Sequence, residues 1–117
     1  MKYLRWSIWE ANLEPVIGSE QGKIRPVLII SNDTVNELLP VVNVLPITSR
    51  KFNRRIYPNE ARVPEHQFGL HQESIILCYQ IRTLDKKRLS HQIGNLNSII
   101  IQYEILDAIC FQLEIKT

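Results

Sequence analysis

The chain is poor in cysteine, glycine and methionine, carries little charge excess and has no long apolar run, and each shortage removes a class of protein. Only Cys78 and Cys110 are present, far apart and in apolar surroundings, so no disulfide framework is needed and each reads as a small buried hydrophobe. The four glycines form neither a phosphate-cradling Gly-rich loop nor a nucleophile elbow, which argues against the common NTPases and serine esterases. The three histidines, His66, His71 and His91, lack metal-ligand spacing; neither a metal nor another cofactor is expected. No stretch has bilayer-spanning length and the first residues do not read as an export leader, so a cytoplasmic protein without membrane contact is expected.

What is present is the balance of a globular protein, 44% hydrophobic and 22% charged residues, enough for one domain over residues 1–117 with its own core. A formal charge of +2 does not mark a nucleic-acid binder, so the clustering of cations matters more than their sum. Arg50, Lys51, Arg54 and Arg55 form one group; Arg82, Lys86, Lys87 and Arg88 form another. Lys23 and Arg25 stand in a third place, and each group taken alone also reads as a solvated loop tip.

The pattern of residues predicts strands over 6–13, 26–31, 41–48 and 74–82, with brief ones at 62–64 and 89–93. Ser31-Asn32-Asp33-Thr34 offers caps for a short helix that Pro40 stops, and residues 49–60, rich in Arg, Asn, Lys and Pro, read as a mobile surface loop. From Asn97, read as an N-cap, Ile99, Tyr103, Leu106, Ile109 or Cys110, and Leu113 recur at helical spacing and predict a closing helix of about four turns. The fold class is therefore mainly β with α+β character: a small barrel or strongly bent antiparallel sheet, a short helix after the second strand and an amphipathic C-terminal helix. Trp6 and Trp9 read as core or subunit-interface residues.

Three ordered stretches carry the most information. Gly18-Ser19-Glu20-Gln21-Gly22-Lys23-Ile24-Arg25-Pro26-Val27-Leu28-Ile29-Ile30-Ser31-Asn32-Asp33 runs from a polar, Gly-bounded loop into a wholly apolar strand and presents an acid and a cation at its rim. Leu45-Pro46-Ile47-Thr48-Ser49 follows, then Gln80-Ile81-Arg82-Thr83-Leu84-Asp85-Lys86-Lys87-Arg88-Leu89 with Ile93-Gly94-Asn95-Leu96. In this order and spacing they resemble the MazF and PemK family of toxin ribonucleases from bacterial type II toxin-antitoxin pairs, over nearly the whole chain. The resemblance implies an SH3-like barrel and a homodimer. It also implies a sequence-specific, metal-independent endoribonuclease acting on single-stranded RNA by 2′-hydroxyl attack, leaving a 2′,3′-cyclic phosphate and a 5′-hydroxyl. A cognate antitoxin protein is the implied partner.

In that family the arginine of R-P-V and the threonine of P-I-T-S are catalytic positions, which match Arg25 and Thr48. Both side chains suit phosphoryl chemistry, since a guanidinium matches phosphate oxygens with a fork of donors and a hydroxyl adds another hydrogen bond. An arginine stays protonated, so Arg25 is assigned to transition-state charge with proton donation as an additional role, and Glu20 is read either as the proton acceptor or as an exposed or Arg-paired acid. Gln80 and Arg82 share one face of the predicted strand and are read as RNA-binding residues. Ser19, Gln21, Lys23 and Ser49 are candidate RNA contacts, with turn stabilisation the other reading for Ser19. Arg50 and Phe52 offer a cation and an aromatic face for stacking a splayed base, unless Phe52 packs beneath its own loop. Arg82, Asp85 and Arg88 also read as a local ion-pair set anchoring a turn.

Departures from the family pattern are Trp6-Ser7 for Gly and an acid, Gly22-Lys23 for a Gly pair, and Tyr79 where an acid commonly precedes Gln80. The competing functions are a non-enzymatic, CcdB-like gyrase poison of the same fold and a catalytically weakened RNA-binding member. The first carries its function near a C-terminal aromatic, whereas this sequence closes Leu113-Glu114-Ile115-Lys116-Thr117.

Overall fold

A computed structural model describes residues 2–116. Seven strands are formed: β1 (Ser7–Asn12), β2 (Ile24–Ile29), β3 (Val41–Ser49), β4 (Glu60–Val63), β5 (Ser74–Leu77), β6 (Arg82–Asp85) and β7 (Leu89–Asn95). Helix α1 (Asp33–Leu38) follows β2, and α2 (Ile99–Leu113) follows β7. All pairings are antiparallel, in the order β4-β5-β3-β2-β1-β7. Strand β6 pairs with the first residues of β3, and β5 with its last three. The sheet bends strongly but its hydrogen-bonded path does not close, since β4 and β7 are its two ends.

The apolar runs are explained by burial on both faces. Alternate residues of each central strand enter two separate clusters. Ile8, Leu28, Leu45 and Ile47 point to one core shared with Ile105 and Ala108 of α2. Trp9, Val27, Ile29 and Val44 point to the other, closed by Leu84 and Leu89. Truncating a side chain at this centre, such as Leu28, removes contacts on every side and costs about 2–5 kcal/mol. Trp9 is fully buried, stacked on Tyr3 at 4.8 Å, with its indole N–H donating to Ser7 Oγ at 2.9 Å.

Several local expectations need correction. The span 74–82 is not one strand, because Cys78–Gln80 form a 3₁₀ turn between β5 and β6. The N-cap of α2 is Ser98, whose hydroxyl accepts from the Ile101 N–H, and not Asn97. The buried face of α2 is Ile101, Ile105, Ala108 and Ile109, so the anticipated stripe is largely out of phase, and Ile99, Tyr103 and Leu113 face outward. That helix is apolar almost all round, so periodicity did not determine which face meets the sheet. Cys78 is buried, and burial pushes its thiol up to about 12, while Cys110 is only half-buried. Arg82, Asp85 and Arg88 form no ion-pair set: Asp85 caps a 3₁₀ turn at Lys86–Arg88 by accepting from Lys87 N–H, and Arg88 donates to the carbonyls of Asn12 and Glu14.

Candidate active site

The site begins where two strands part. Strand β2 pairs with β3 only from Ile29↔Val44 to Val27↔Pro46, and Pro46 has no N–H with which to continue the ladder. Beyond it β3 turns to β5 through Ile47, Thr48 and Ser49. Continuing the β2 register by two residues sets Arg25 across from Thr48, and both line one open cleft of about 500 Å³ with Ser49. Two family motifs separated by more than twenty residues thus meet at one surface.

Arg25 is held by neutral acceptors. Its Nε donates to the Gly22 carbonyl at 3.0 Å, and the Gln21 side-chain amide, with its oxygen inward, accepts from Nη2 at 3.0 Å and Nη1 at 3.2 Å. Among the described residues no carboxylate lies within ion-pair distance of Arg25, so its charge is oriented without being neutralised. The β1–β2 loop that supplies these acceptors is itself tied down. Lys23 N–H donates to Glu14 Oε1 at 2.7 Å, and Leu13 N–H donates to the Lys23 carbonyl at 2.9 Å. Lys23 adopts φ +67°, a conformation that favours glycine, at the second position of the pair where Gly22-Lys23 replace two glycines of the family pattern.

Glu20 does not line this cleft. Its Oε1 accepts from Ile17 N–H at 2.7 Å, closing a turn in its own loop, and it lines a neighbouring depression with Ser19, Tyr79, Gln80 and Arg82. Gln80 and Arg82 therefore lie near each other, but through the 3₁₀ turn and not through strand alternation. Gln80 Oε1 accepts from Gln21 N–H at 2.6 Å, and Arg82 Nη1 donates to the Leu13 carbonyl at 3.3 Å, so both fasten the β1–β2 loop. Gln21 joins the two depressions, with its backbone on Gln80 and its side chain on Arg25.

The 49–60 loop is also held by specific bonds. Arg50 donates to the Arg54 carbonyl at 2.8 Å and reaches Glu73 at 3.2 Å. Arg54 forms a two-pronged pair with Glu60 at 2.9 and 2.7 Å, and Tyr57 lies beneath the guanidiniums of Arg54 and Arg55. Hydrogen bonds from Arg54 hold the Glu60 carboxyl below the ordinary carboxylate range against the opposing effect of burial. Phe52 does not pack under its loop; it is 95% exposed. Lys23 and Ser19 are exposed as well.

The open cleft that Arg25 and Thr48 border is also lined by three titratable residues that sequence reasoning missed, Glu10, His71 and His91, of which Glu10 and His91 lie on the strand face of Pro26, opposite to that of Arg25. Glu10 had a signal, being the only charged residue in β1. The histidines had none beyond their residue type, because the bend of the sheet, and not spacing along the chain, brings them to the cleft. Among the described residues no group of three His, Cys, Asp or Glu side chains is placed to hold a metal.

Comparison with known proteins identifies the family and the fold. The family model for PemK-like, MazF-like toxins of type II toxin-antitoxin systems matches residues 4–113. Among solved structures, the Mycobacterium tuberculosis toxin MazF-mt6 is 29% identical with a TM-score of 0.78, over 95% of this chain and 99% of that one. MazF from Deinococcus radiodurans is 25% identical with a TM-score of 0.83, over 98% and 99%. A mycobacterial endoribonuclease solved with its cognate antitoxin shares the fold at 22% identity, with a TM-score of 0.77 over 98% of both chains.

Proposed function

The chain belongs to the PemK-like, MazF-like toxins of type II toxin-antitoxin systems, and from that membership we propose that it is a sequence-specific, metal-independent endoribonuclease of single-stranded RNA. The observation that carries the reading is the convergence of Arg25 and Thr48 on one cleft, with the arginine's charge uncompensated. In-line attack of a ribose 2′-oxygen puts negative charge on the non-bridging phosphate oxygens, and donors already oriented toward them lower the barrier most. Arg25 supplies two or more N–H groups in a planar fork, and Thr48 supplies an O–H beside it. The products are a 2′,3′-cyclic phosphate and a 5′-hydroxyl.

Ser49 lines the same cleft, and Ser19 and Tyr79 line the adjoining depression, as does the Glu20–Arg82 rim. These surfaces, with the exposed Phe52 and Lys23, follow the RNA to either side of the scissile bond. Glu20, whose carboxylate accepts from Ile17 N–H within the same loop that supplies Gln21 to Arg25, is the proton acceptor in this reading. A homodimer is the working form, and a cognate antitoxin segment covers the groove and silences it.

The test is incubation with a long mixed-sequence single-stranded RNA in excess EDTA, mapping 5′ ends, beside R25A and T48A. Cuts at a recurring short word that leave 5′-hydroxyls and vanish in both variants are expected. Intact RNA overturns the nuclease reading and redirects the search to gyrase inhibition or to RNA binding without cleavage.

A further inference from the structure

Two further guanidiniums stand on the sheet face that carries Thr48. Alternation along β3 sends Leu45 and Ile47 into the core beneath α2, so Thr48 points to the other side. Ile75 lies directly across from Thr48, and Arg62 directly across from Ile75, so the three share one face in a row over three strands. The neighbours of Arg62 on β4, Ala61 and Val63, enter the core beneath α2, which confirms that Arg62 points away from it. Two strand spacings set the Arg62 backbone about 10 Å from that of Thr48. Arg50 follows Thr48 by two residues, and its N–H donates to the Glu73 carbonyl at 2.8 Å, which carries the β3–β5 register one residue past Ser49↔Ser74. Arg50 and Glu73 therefore lie on this same face.

These residues form one cluster. Arg50 Nη1 and Arg62 Nε both donate to the same oxygen of Glu73, Oε2, the first at 3.2 Å. One carboxylate thus holds two guanidiniums, and a unit of positive charge is left over. That charge is open to solvent. The Arg62 side chain is 49% exposed, and among the described residues it bonds to Glu73 alone, so its two Nη groups have no protein partner. Arg50 is fixed by a second bond, from Nε to the Arg54 carbonyl at 2.8 Å, and its Nη2 is likewise without one. The nearby Arg54–Glu60 pair sets one acid against one base and does not offset the surplus.

Resting on the nuclease reading, we propose that Arg50, Glu73 and Arg62 form a second phosphate site, which grips an RNA phosphate flanking the scissile one. A single strand laid along the row meets Arg25 and Thr48 at the reacting phosphate and the Arg50–Arg62 pair at a neighbouring one. Glu73 orients both planar forks, and because it is shared it does not cancel their charge. Such a contact holds the strand in register and carries no base information of its own. A repeating phosphate chain fits a cationic site in line with the reacting residues, since each step along the strand supplies another anion.

The experiment titrates the parent, R62Q, R62K, E73Q and K2Q with mixed-sequence 2′-O-methyl RNA, which has the phosphates but no 2′-hydroxyl to attack, between about 50 and 200 mM salt. Cleavage of ordinary mixed-sequence RNA and the thermal midpoint are followed alongside. R62Q is expected to bind severalfold more weakly and to reduce the slope of log K against log salt by about 0.7, the share of one phosphate on a single strand. Its KM for cleavage rises while kcat is kept. R62K retains the slope, and E73Q, which releases the cluster's anion, binds more tightly than the parent. Lys2 lies beside Asp33 and Glu37 at α1, so K2Q matches the parent. Lowered midpoints in R62Q and E73Q with parental slopes in both would show a brace of the fold and overturn the proposal. So would an oligo-glutamate that separates R62Q from the parent when the RNA does not, which would assign the cluster to an acidic protein segment. A parent that cuts RNA while R62Q keeps its slope leaves the nuclease reading standing without this site. A parent that shows the slope change but cuts nothing keeps the site and sinks the nuclease reading; one that neither binds nor cuts sinks both.

Discussion

Two arginines of this molecule make comparable numbers of hydrogen bonds and do opposite work. Arg54 places its guanidinium on the Glu60 carboxylate, whose side chain is 1% exposed, and each charge cancels the other. Arg25 meets only a carbonyl and an amide oxygen, so it is aimed but keeps its field. The first arrangement suits a corner that must stay folded. The second suits a site that must receive an anion, because a dipolar acceptor orients a guanidinium without satisfying its charge.

The largest effect that tests the contrast is at Arg25. R25A removes the phosphate donors from an open cleft, so cleavage is expected to fall by a factor of about 10²–10³ or more. Its thermal midpoint should stay close to the parent's, since no buried partner is left behind. A midpoint that collapses together with activity would show that Arg25 is structural after all.

Next is R54M. It strands the Glu60 carboxylate in a site closed to water, at an expected cost of about 2–3 kcal/mol, reduced for the arginine's 33% exposure. A urea titration measures this, and RNA cleavage by the folded fraction should be little changed.

A third substitution turns one arginine into the other. Q21E puts a carboxylate on Arg25 and is expected to slow cleavage about tenfold, a barrier change of about 1.4 kcal/mol, with stability equal or slightly higher. Faster cleavage would show that the arginine's bare charge is not what the site uses.

The smallest effect is in pH dependence. Hydrogen bonding from Arg54 lowers the folded-state pKa of Glu60, so the unfolded chain binds more protons through that interval. The stability it contributes is fully present above an unfolded value of about 4.3 and is lost as pH falls through the lower folded value. The paired Glu73 carboxyl is lowered too and adds to the same slope. In R54M, burial of Glu60 without its partner opposes the charged form, so Glu60's share of the acid slope reverses and that share of stability rises as pH falls.

Much of the candidate site was legible because its pattern is local. Arg25 stands at a loop-to-strand junction marked by Pro26, and Thr48 follows Pro46, so motif, proline and apolar run pointed to both residues. What escaped depended on contacts across the sheet. Gln80 and Arg82 were read as sharing one face of a strand, yet Gln80 ends a 3₁₀ turn, Arg82 opens β6, and each bonds to the β1–β2 loop. Residue type alone does not say whether an amide meets solvent, RNA or a neighbouring backbone. The phase of α2 failed for the complementary reason, since isoleucines on several faces leave the choice to the shape of the surface beneath, where Ala108 permits close approach.

Local pattern was enough to set most of the strands, the two helices and the loop that presents Arg25, because periodicity, proline and capping residues act over a few positions. Which side chains share a cleft was settled only by the folded sheet. Opening β2 from β3 after Pro46, bulging β7 at Ser90 and Ile93, and seating Gly69 against it are properties of strands meeting in space. They bring residues from separate segments of the chain to one surface, and no period along the chain encodes that meeting.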